Sequence, residues 1–312
     1  MAASELIPPS LRKLVSQVVT HNPIPYHAYT IYLFSRDNIK DIICMGFLFG
    51  CLNASVAPRF SMGPALSIQR LLLLAPKMLL WSWINLFVFN LHNQRHGSAV
   101  AEDALNKPWR PIPAGRISTV QTTRLLYLMY PVLLGVSLRY GGLGPCLAEA
   151  FFCLWYNEWG GASRPFTKNL QNGLGFACFF AGPLEVATGH SIFAGRGTAA
   201  AWLAILTVAV TTTVHLQDFR DMDGDRAANR QTVPLAIGDF PARIVVALGI
   251  AFWTIAASCY WGAPLAGSWA AWLGGGAVVA NLFRDRSQSG DAFTWKMWPA
   301  WVLGLFLLPV MS

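Results

Sequence analysis

The chain has 312 residues, of which 54% are hydrophobic, 13% aromatic and 12% charged, and its net charge is +8. A soluble domain carries about 25% charged residues. Half that share in a chain of this length excludes a disordered chain, a collagen-like chain and a nucleic-acid-binding module, and it points to a polytopic membrane protein. The basic excess belongs in loops that set topology. The six Cys form no CxxC pair and mostly lie inside apolar runs, which suits packing and not a zinc site or a disulfide framework.

Residues 1–38 read as an N-terminal segment on the cytosolic face. Within it, Leu11, Leu14, Val15, Val18 and Val19 share one helical face, as in a short helix lying on the bilayer. No cleavable signal peptide is visible. A spanning helix needs about 20 mainly apolar residues. Such windows fall at 40–58, 68–92, 119–138, 142–158, 169–189, 198–217, 241–261, 264–283 and 293–311. The expectation is an all-α membrane protein of about nine transmembrane helices around a central cavity, in a single domain over 1–312.

Loop charge gives an independent check. With the N-terminus on the same side as the loops after spans two, four, six and eight, that side collects most of the 23 Lys and Arg. The opposite side holds only Arg59, Arg70, Arg139 and Arg196. The rich side is therefore read as cytosolic. Two acidic loops lie on it, 93–116 and 215–234. Four crossings separate them, so they share a face.

In the first loop, Asn93, Glu102 and Asp103 precede Asn106-Lys107-Pro108-Trp109-Arg110. Asn93 and Asp103 suit a metal, and Lys107 and Arg110 suit a phosphate. In the second loop, Asp218, Asp221 and Asp225 fall within roughly 60° of one another on a helix, and Asp223 points away. Three carboxylates on one face need divalent metals or arginine partners. Oxygen donors with water and phosphate are what Mg²⁺ prefers. Arg226, Asn229 and Arg230 follow at a distance suited to phosphate oxygens, although a solvated acidic helix end neutralised by the nearby arginines is the bland alternative. A third cytosolic junction carries Tyr156, Asn157, Glu158, Arg164, Lys168, Asn169 and Asn172. Polar groups so near hydrocarbon are costly, which makes them functional candidates. Anchoring at the membrane interface is the competing role for Arg164 and Lys168.

The stretches KPWRPIPAGRIS (107–118) and HLQDFRDMDGDRAANRQTVP (215–234), set on about nine helices, resemble the UbiA superfamily of intramembrane prenyltransferases. The resemblance implies paired aspartate-rich loops that bind Mg²⁺ and a prenyl diphosphate, with the isoprenoid tail among the helices. By position Asp218, Asp221 and Asp225 match the second motif, and Asn93, Asp103 and Arg110 match the opening Asn, the final Asp and the Arg-Pro ending of the first. Gln94 and Gly97 stand where the family's first motif carries carboxylates, and Glu102 is the candidate replacement. This altered loop is similar to a fungal branch of membrane-bound terpene cyclases, whose activities include bergamotene-type sesquiterpene and cyathane-type diterpene cyclisation.

The resemblance implies catalysis by Asp218, Asp221, Asp225, Asn93 and Asp103, with Glu102 joining them as metal ligands. Lys107, Arg110, Arg164, Lys168 and Arg226 are the expected diphosphate ligands, and Mg²⁺ is the expected cofactor. A cyclase also needs aromatic faces for its carbocation. Trp81, Phe89, Tyr156 and Phe180 are the candidates for that lining. The expected reaction is ionisation of geranylgeranyl diphosphate, ahead of farnesyl diphosphate, and cyclisation to a hydrocarbon in the endoplasmic reticulum membrane. No terminating base stands out in the sequence; the departing diphosphate is one candidate. Transfer of a prenyl chain to an aromatic acceptor is the alternative. A His-box metalloenzyme around His92 and His96 lacks a second box, and a transporter leaves the two acidic loops unexplained.

Overall fold

The computed structural model describes residues 23–227 and 231–312. The expected interfacial helix at 10–19, and Asn229 and Arg230, lie outside them. Every described element is helical, and each of the nine apolar windows carries a helix. In chain order the helices are α1 (Ile24–Ser35), a π-helical stretch Ile39–Cys44 running into α2 (Met45–Ala54), α3 (Ile68–Gln94), α4 (Gly97–Asn106), α5 (Thr119–Tyr140), α6 (Leu143–Asn157) and α7 (Pro165–Thr188). They continue with α8 (Thr198–Thr213), a 3₁₀ stretch Val214–Asp221, α9 (Met222–Ala227), α10 (Val233–Ile237), α11 (Asp239–Trp261), α12 (Leu265–Arg284), α13 (Gln288–Phe306) and α14 (Leu308–Met311).

Among the described residues, four helical stretches combine the length and apolarity of a membrane span: Ile68–Gln94, Thr198–Arg226, Asp239–Trp261 and Gln288–Met311. The others are shorter or interrupted by polar residues, which a bilayer tolerates where a helix faces protein or a cavity.

Local chemistry sets the ends. Ser118 caps α5 in a capping box with Gln121, each satisfying the other's backbone N–H. Pro165 opens α7, where its missing N–H costs nothing. Gly189 closes α7 in the left-handed region at φ 71°.

Helix α7 is the hub, packed against α2, α3, α6 and α8. Lipid gives no hydrophobic drive for helices to associate, so close van der Waals contact and interhelical hydrogen bonds do this work. Gly46 and Gly50 let α2 approach α7 closely. A Cβ on Gly46 would lie 2.3 Å from the Phe179 carbonyl oxygen, and one on Gly50 3.0 Å from Pro183. On the far side, Trp298 and Trp301 of α13 donate to Thr213 at 3.1 Å and Thr254 at 2.9 Å.

The loops sort to two ends. At one end Asn93 meets Asn157, Lys168 meets Asp218 and Arg243 meets Asp291. At the other, Arg59 reaches Ser312 and Tyr260 reaches Thr198. Both acidic loops therefore lie at the same end, as the parity of crossings requires.

Candidate active site

The first loop is held by ion pairs. Arg110 Nη1 donates to both oxygens of Asp103 at 3.0 and 2.8 Å, and its Nε reaches Asp37 at 3.2 Å. Asp103 and Arg110 are both buried. Residue types that the sequence assigned to metal and to phosphate thus meet directly. Asp37, before the π-helical stretch, went unnoticed in the sequence because its partners lie some 70 residues away; it also accepts from Trp109 at 3.2 Å. Lys107 is partly buried beside them. Burial pushes its ammonium below the usual range and Arg110 adds to this, while Asp37 and Asp103 pull it back.

Asn93 sits at the last turn of α3. Its amide donates to Asn157 at 3.2 Å, and Asn157 in turn donates to the Cys153 carbonyl at 2.9 Å. This chain ties α3 to α6 and leaves the Asn93 carbonyl as its remaining oxygen donor. His92 is no metal-box member. It bonds Glu158 at 2.6 Å and Tyr130 at 2.8 Å, with Arg95 and His96 also on Glu158. Glu158 is thus a tie between α3 and α6, and His92 extends it to Tyr130 of α5.

On the opposite wall, Lys168 Nζ donates to Asp218 Oδ1 at 2.8 Å, with both side chains buried. His215, passed over in the sequence, bridges behind them: its Nε2 donates to the Ala242 carbonyl at 3.1 Å, so its Nδ1 accepts from the Asn169 amide at 3.3 Å. Two oxygens here, Asp218 Oδ2 and Asn169 Oδ1, are buried with no hydrogen-bond partner. A hard cation such as Mg²⁺ is the partner their chemistry fits.

The three aspartates of this loop do not behave alike. Asp218 and Asp225 are buried, whereas Asp221 is exposed and pairs with Arg220 at 3.3 Å. The expectation of one α-helical face meets a 3₁₀ stretch that changes to α at Met222. At about 2.0 Å rise per residue, Asp218 and Asp221 stand about 6 Å apart along the axis instead of about 4.5 Å. Among the described residues no three His, Cys, Asp or Glu side chains converge closely enough to hold a metal ion. Asp223 points away, as expected, and pairs with Arg226 at 3.0 Å on the surface. Arg164 is exposed at the start of α7, and Glu102 is half-buried on α4.

Beneath this mouth lies a small cavity of about 50 Å³, walled by α3, α6, α7 and the π-helical stretch. Phe89, Phe152, Tyr156, Phe176 and Phe179 line it, together with Ile42, Glu149, Cys153, Gln171, Asn172 and Gly175. Two of the four expected aromatics, Phe89 and Tyr156, are there, with rings 5.9 Å apart. The other two pack elsewhere. Trp81 is fully buried and donates to the Gly142 carbonyl at 3.3 Å, and Phe180 stacks among Phe49, Phe176 and Phe306 in the core. Which face of α3 or α7 meets the cavity is a packing result that aromatic residue type does not encode.

A polar, charged end of a bundle of apolar helices thus stands over an aromatic-lined cavity. The chain belongs to the UbiA prenyltransferase family, whose pattern matches residues 78–300. It is an integral membrane protein. It is 29% identical to fumagillin beta-trans-bergamotene synthase of Aspergillus fumigatus over 90% of this chain and 91% of that one. Two proteins of Hericium erinaceus, a diterpene cyclase and a polyprenyl transferase, are each 30% identical, over 72% and 66% of this chain and 72% and 71% of theirs. The fold is also that of a UbiA homolog from Archaeoglobus fulgidus, solved bound to GPP and Mg²⁺, with a TM-score of 0.58 at 13% identity over 89% of this chain and 99% of that one.

Proposed function

We propose that the protein is a Mg²⁺-dependent terpene cyclase that ionises a linear prenyl diphosphate and closes the carbocation on its own double bonds. The observation that carries this reading is the aromatic cavity directly under a mouth of buried, paired charges. Similarity over nine-tenths of the chain to a protein named as a terpene synthase supports it.

The tail would lie between Phe89, Tyr156, Phe176 and Phe179, whose ring faces attract a carbocation without reacting with it. A bound tail filling the cavity would exclude water that would quench the cation. At the mouth, Lys168 and Arg110 are held by Asp218 and Asp103 until a diphosphate competes for them. Lys107, Arg164 and Arg226 are the further basic groups assigned to its oxygens. Asp218, Asp221 and Asp225 on one wall and Asn93, Glu102 and Asp103 on the other would hold Mg²⁺. When bound, that ion supplies positive charge to the leaving diphosphate. We assign nine crossings, the basic end to the cytosol, and the endoplasmic reticulum as the membrane. Geranylgeranyl diphosphate is placed ahead of farnesyl diphosphate as substrate.

The test is incubation of membranes containing the protein with Mg²⁺ and either diphosphate, without an acceptor, followed by gas chromatography and mass spectrometry. A cyclic terpene that requires Mg²⁺ and disappears in Asp218→Ala establishes the cyclase. The polyprenyl transferase relative favours a second reading. Substrate left intact until an aromatic acceptor is added would establish that one instead.

A further inference from the structure

We infer that Glu149 is the base that ends the cyclisation by removing the final proton, an inference that rests on the cyclase reading. Glu149 lies on α6 and lines the cavity. It is 4% exposed, and its Oε2 is buried without a hydrogen-bond partner. A carboxyl that served the fold would be paired, because an unsatisfied buried polar group costs stability. Here the group is buried and unpartnered in a cavity that aromatic residues also line.

Its depth suits the chemistry. Phe152, Cys153 and Tyr156 follow Glu149 at i+3, i+4 and i+7, so one face of α6 carries the lining from Glu149 up to the mouth. Asn157, which joins Asn93 at the mouth, is eight residues on, about 12 Å along the helix. Ionisation occurs at the mouth, and the first ring closure moves the positive charge to a carbon further along the chain. The cation thus travels toward Glu149. Across the cavity the carboxyl faces Gly175 of α7, where a Cβ would stand 3.6 Å from Oε2, at ordinary contact distance. The amides of Gln171 and Asn172 line the same cavity with their own nitrogens unpartnered.

The step balances. Buried and unpaired, Glu149 is a neutral acid before ionisation, and it gives its proton to the departing diphosphate. Its carboxylate then takes a proton from the carbon beside the cationic centre, whose C–H electron pair becomes the new double bond. Carbocation and carboxylate are both neutralised. Glu149 ends as the neutral acid it began as, so the sum is prenyl diphosphate to cyclic alkene plus protonated diphosphate. An uncompensated buried carboxylate is costly, and the carbocation is the charge that compensates it.

The experiment compares wild type, Glu149→Gln and Glu149→Asp in membranes with Mg²⁺ and the productive prenyl diphosphate, reading products and diphosphate together. In Glu149→Gln the wild-type product should fall at least about tenfold per diphosphate released, replaced by other alkenes or by alcohols from water capture. Glu149→Asp should recover part of it. A second readout needs no turnover. A prenyl-chain tertiary ammonium, mimicking the carbocation and bound with inorganic diphosphate, should bind Glu149→Gln at least about tenfold more weakly than wild type. A prenyl thiodiphosphate, whose chain carries no positive charge, should bind wild type and Glu149→Gln with equal affinity, which shows both proteins are folded. Unaltered product proportions together with unaltered ammonium affinity would overturn the assignment. If wild type releases no diphosphate without an acceptor, the cyclase reading itself falls, and this inference falls with it.

Discussion

Lys168 and Asp218 form a buried ion pair, 2.8 Å from Nζ to Oδ1, joining the first turn of α7 to the 3₁₀ stretch after α8. Removing one partner of such a pair leaves an uncompensated charge and costs about 3–5 kcal/mol. Asp218→Asn and Lys168→Met should each lower the melting temperature in detergent. The double variant should regain much of the stability while diphosphate release stays at least about a hundredfold down. Full activity in the double variant would show that the pair is only a strut.

Arg110 serves Asp103 and Asp37 at once. Lysine keeps the charge but not the planar fork. Arg110→Lys should weaken binding of a prenyl thiodiphosphate by about tenfold, since one charge-assisted bond is worth roughly 1.5–3 kcal/mol. Titration calorimetry checks this, and unchanged affinity would remove Arg110 from the diphosphate site.

Lys107 gives a pH dependence. Burial lowers its pKa, so the fold disfavours its charged form. A bound diphosphate favours that form and moves the pKa back up. Binding is therefore strongest below the pKa of the free protein, weakens as pH rises through it, and takes up protons in that window. Alone, this group makes the folded state more stable as pH rises through the lowered pKa, because the unfolded chain there holds more protons. Lys107→Gln should flatten the alkaline fall in thiodiphosphate affinity. An equal fall in both proteins would assign it to another group.

The close approach of α2 to α7 tests the packing. Gly46→Ala places a Cβ 2.3 Å from a backbone oxygen that cannot swing aside. It should destabilise by about 1–3 kcal/mol, the usual range for overpacking. Gly276→Ala meets nothing within 4 Å and serves as the control. Alanine there should be neutral or slightly stabilising in a helix. Thermal unfolding in one detergent compares the two.

Much of this arrangement was legible in the residues. Asn93, Asp103 and Arg110 stand out by their metal- and phosphate-binding side chains in one loop, Asp218 by the spacing of its carboxylates and Lys168 by polarity next to hydrocarbon, and the structure brings them to one end of the bundle. Their partners were less legible. Asp37 and His215 carry no local pattern, and their roles arise from contacts to Arg110 and to the Ala242 carbonyl. Glu149 was hidden differently. It sits inside an apolar run, and only the packing of α6 against α7 shows that it faces a cavity and not a partner.

By itself the sequence determined where helices form and which loops share an end. Apolar runs of membrane length act within one segment, and the parity of crossings is simple counting. Tertiary structure alone decided which side chains meet. Trp81 and Phe180 pack in the core while Phe89 and Tyr156 line the cavity, although all four are aromatic residues on apolar helices. The physical reason is that lipid and protein interior are equally apolar. Hydrophobic pattern then cannot say which helix face turns inward, and close contact between neighbours does.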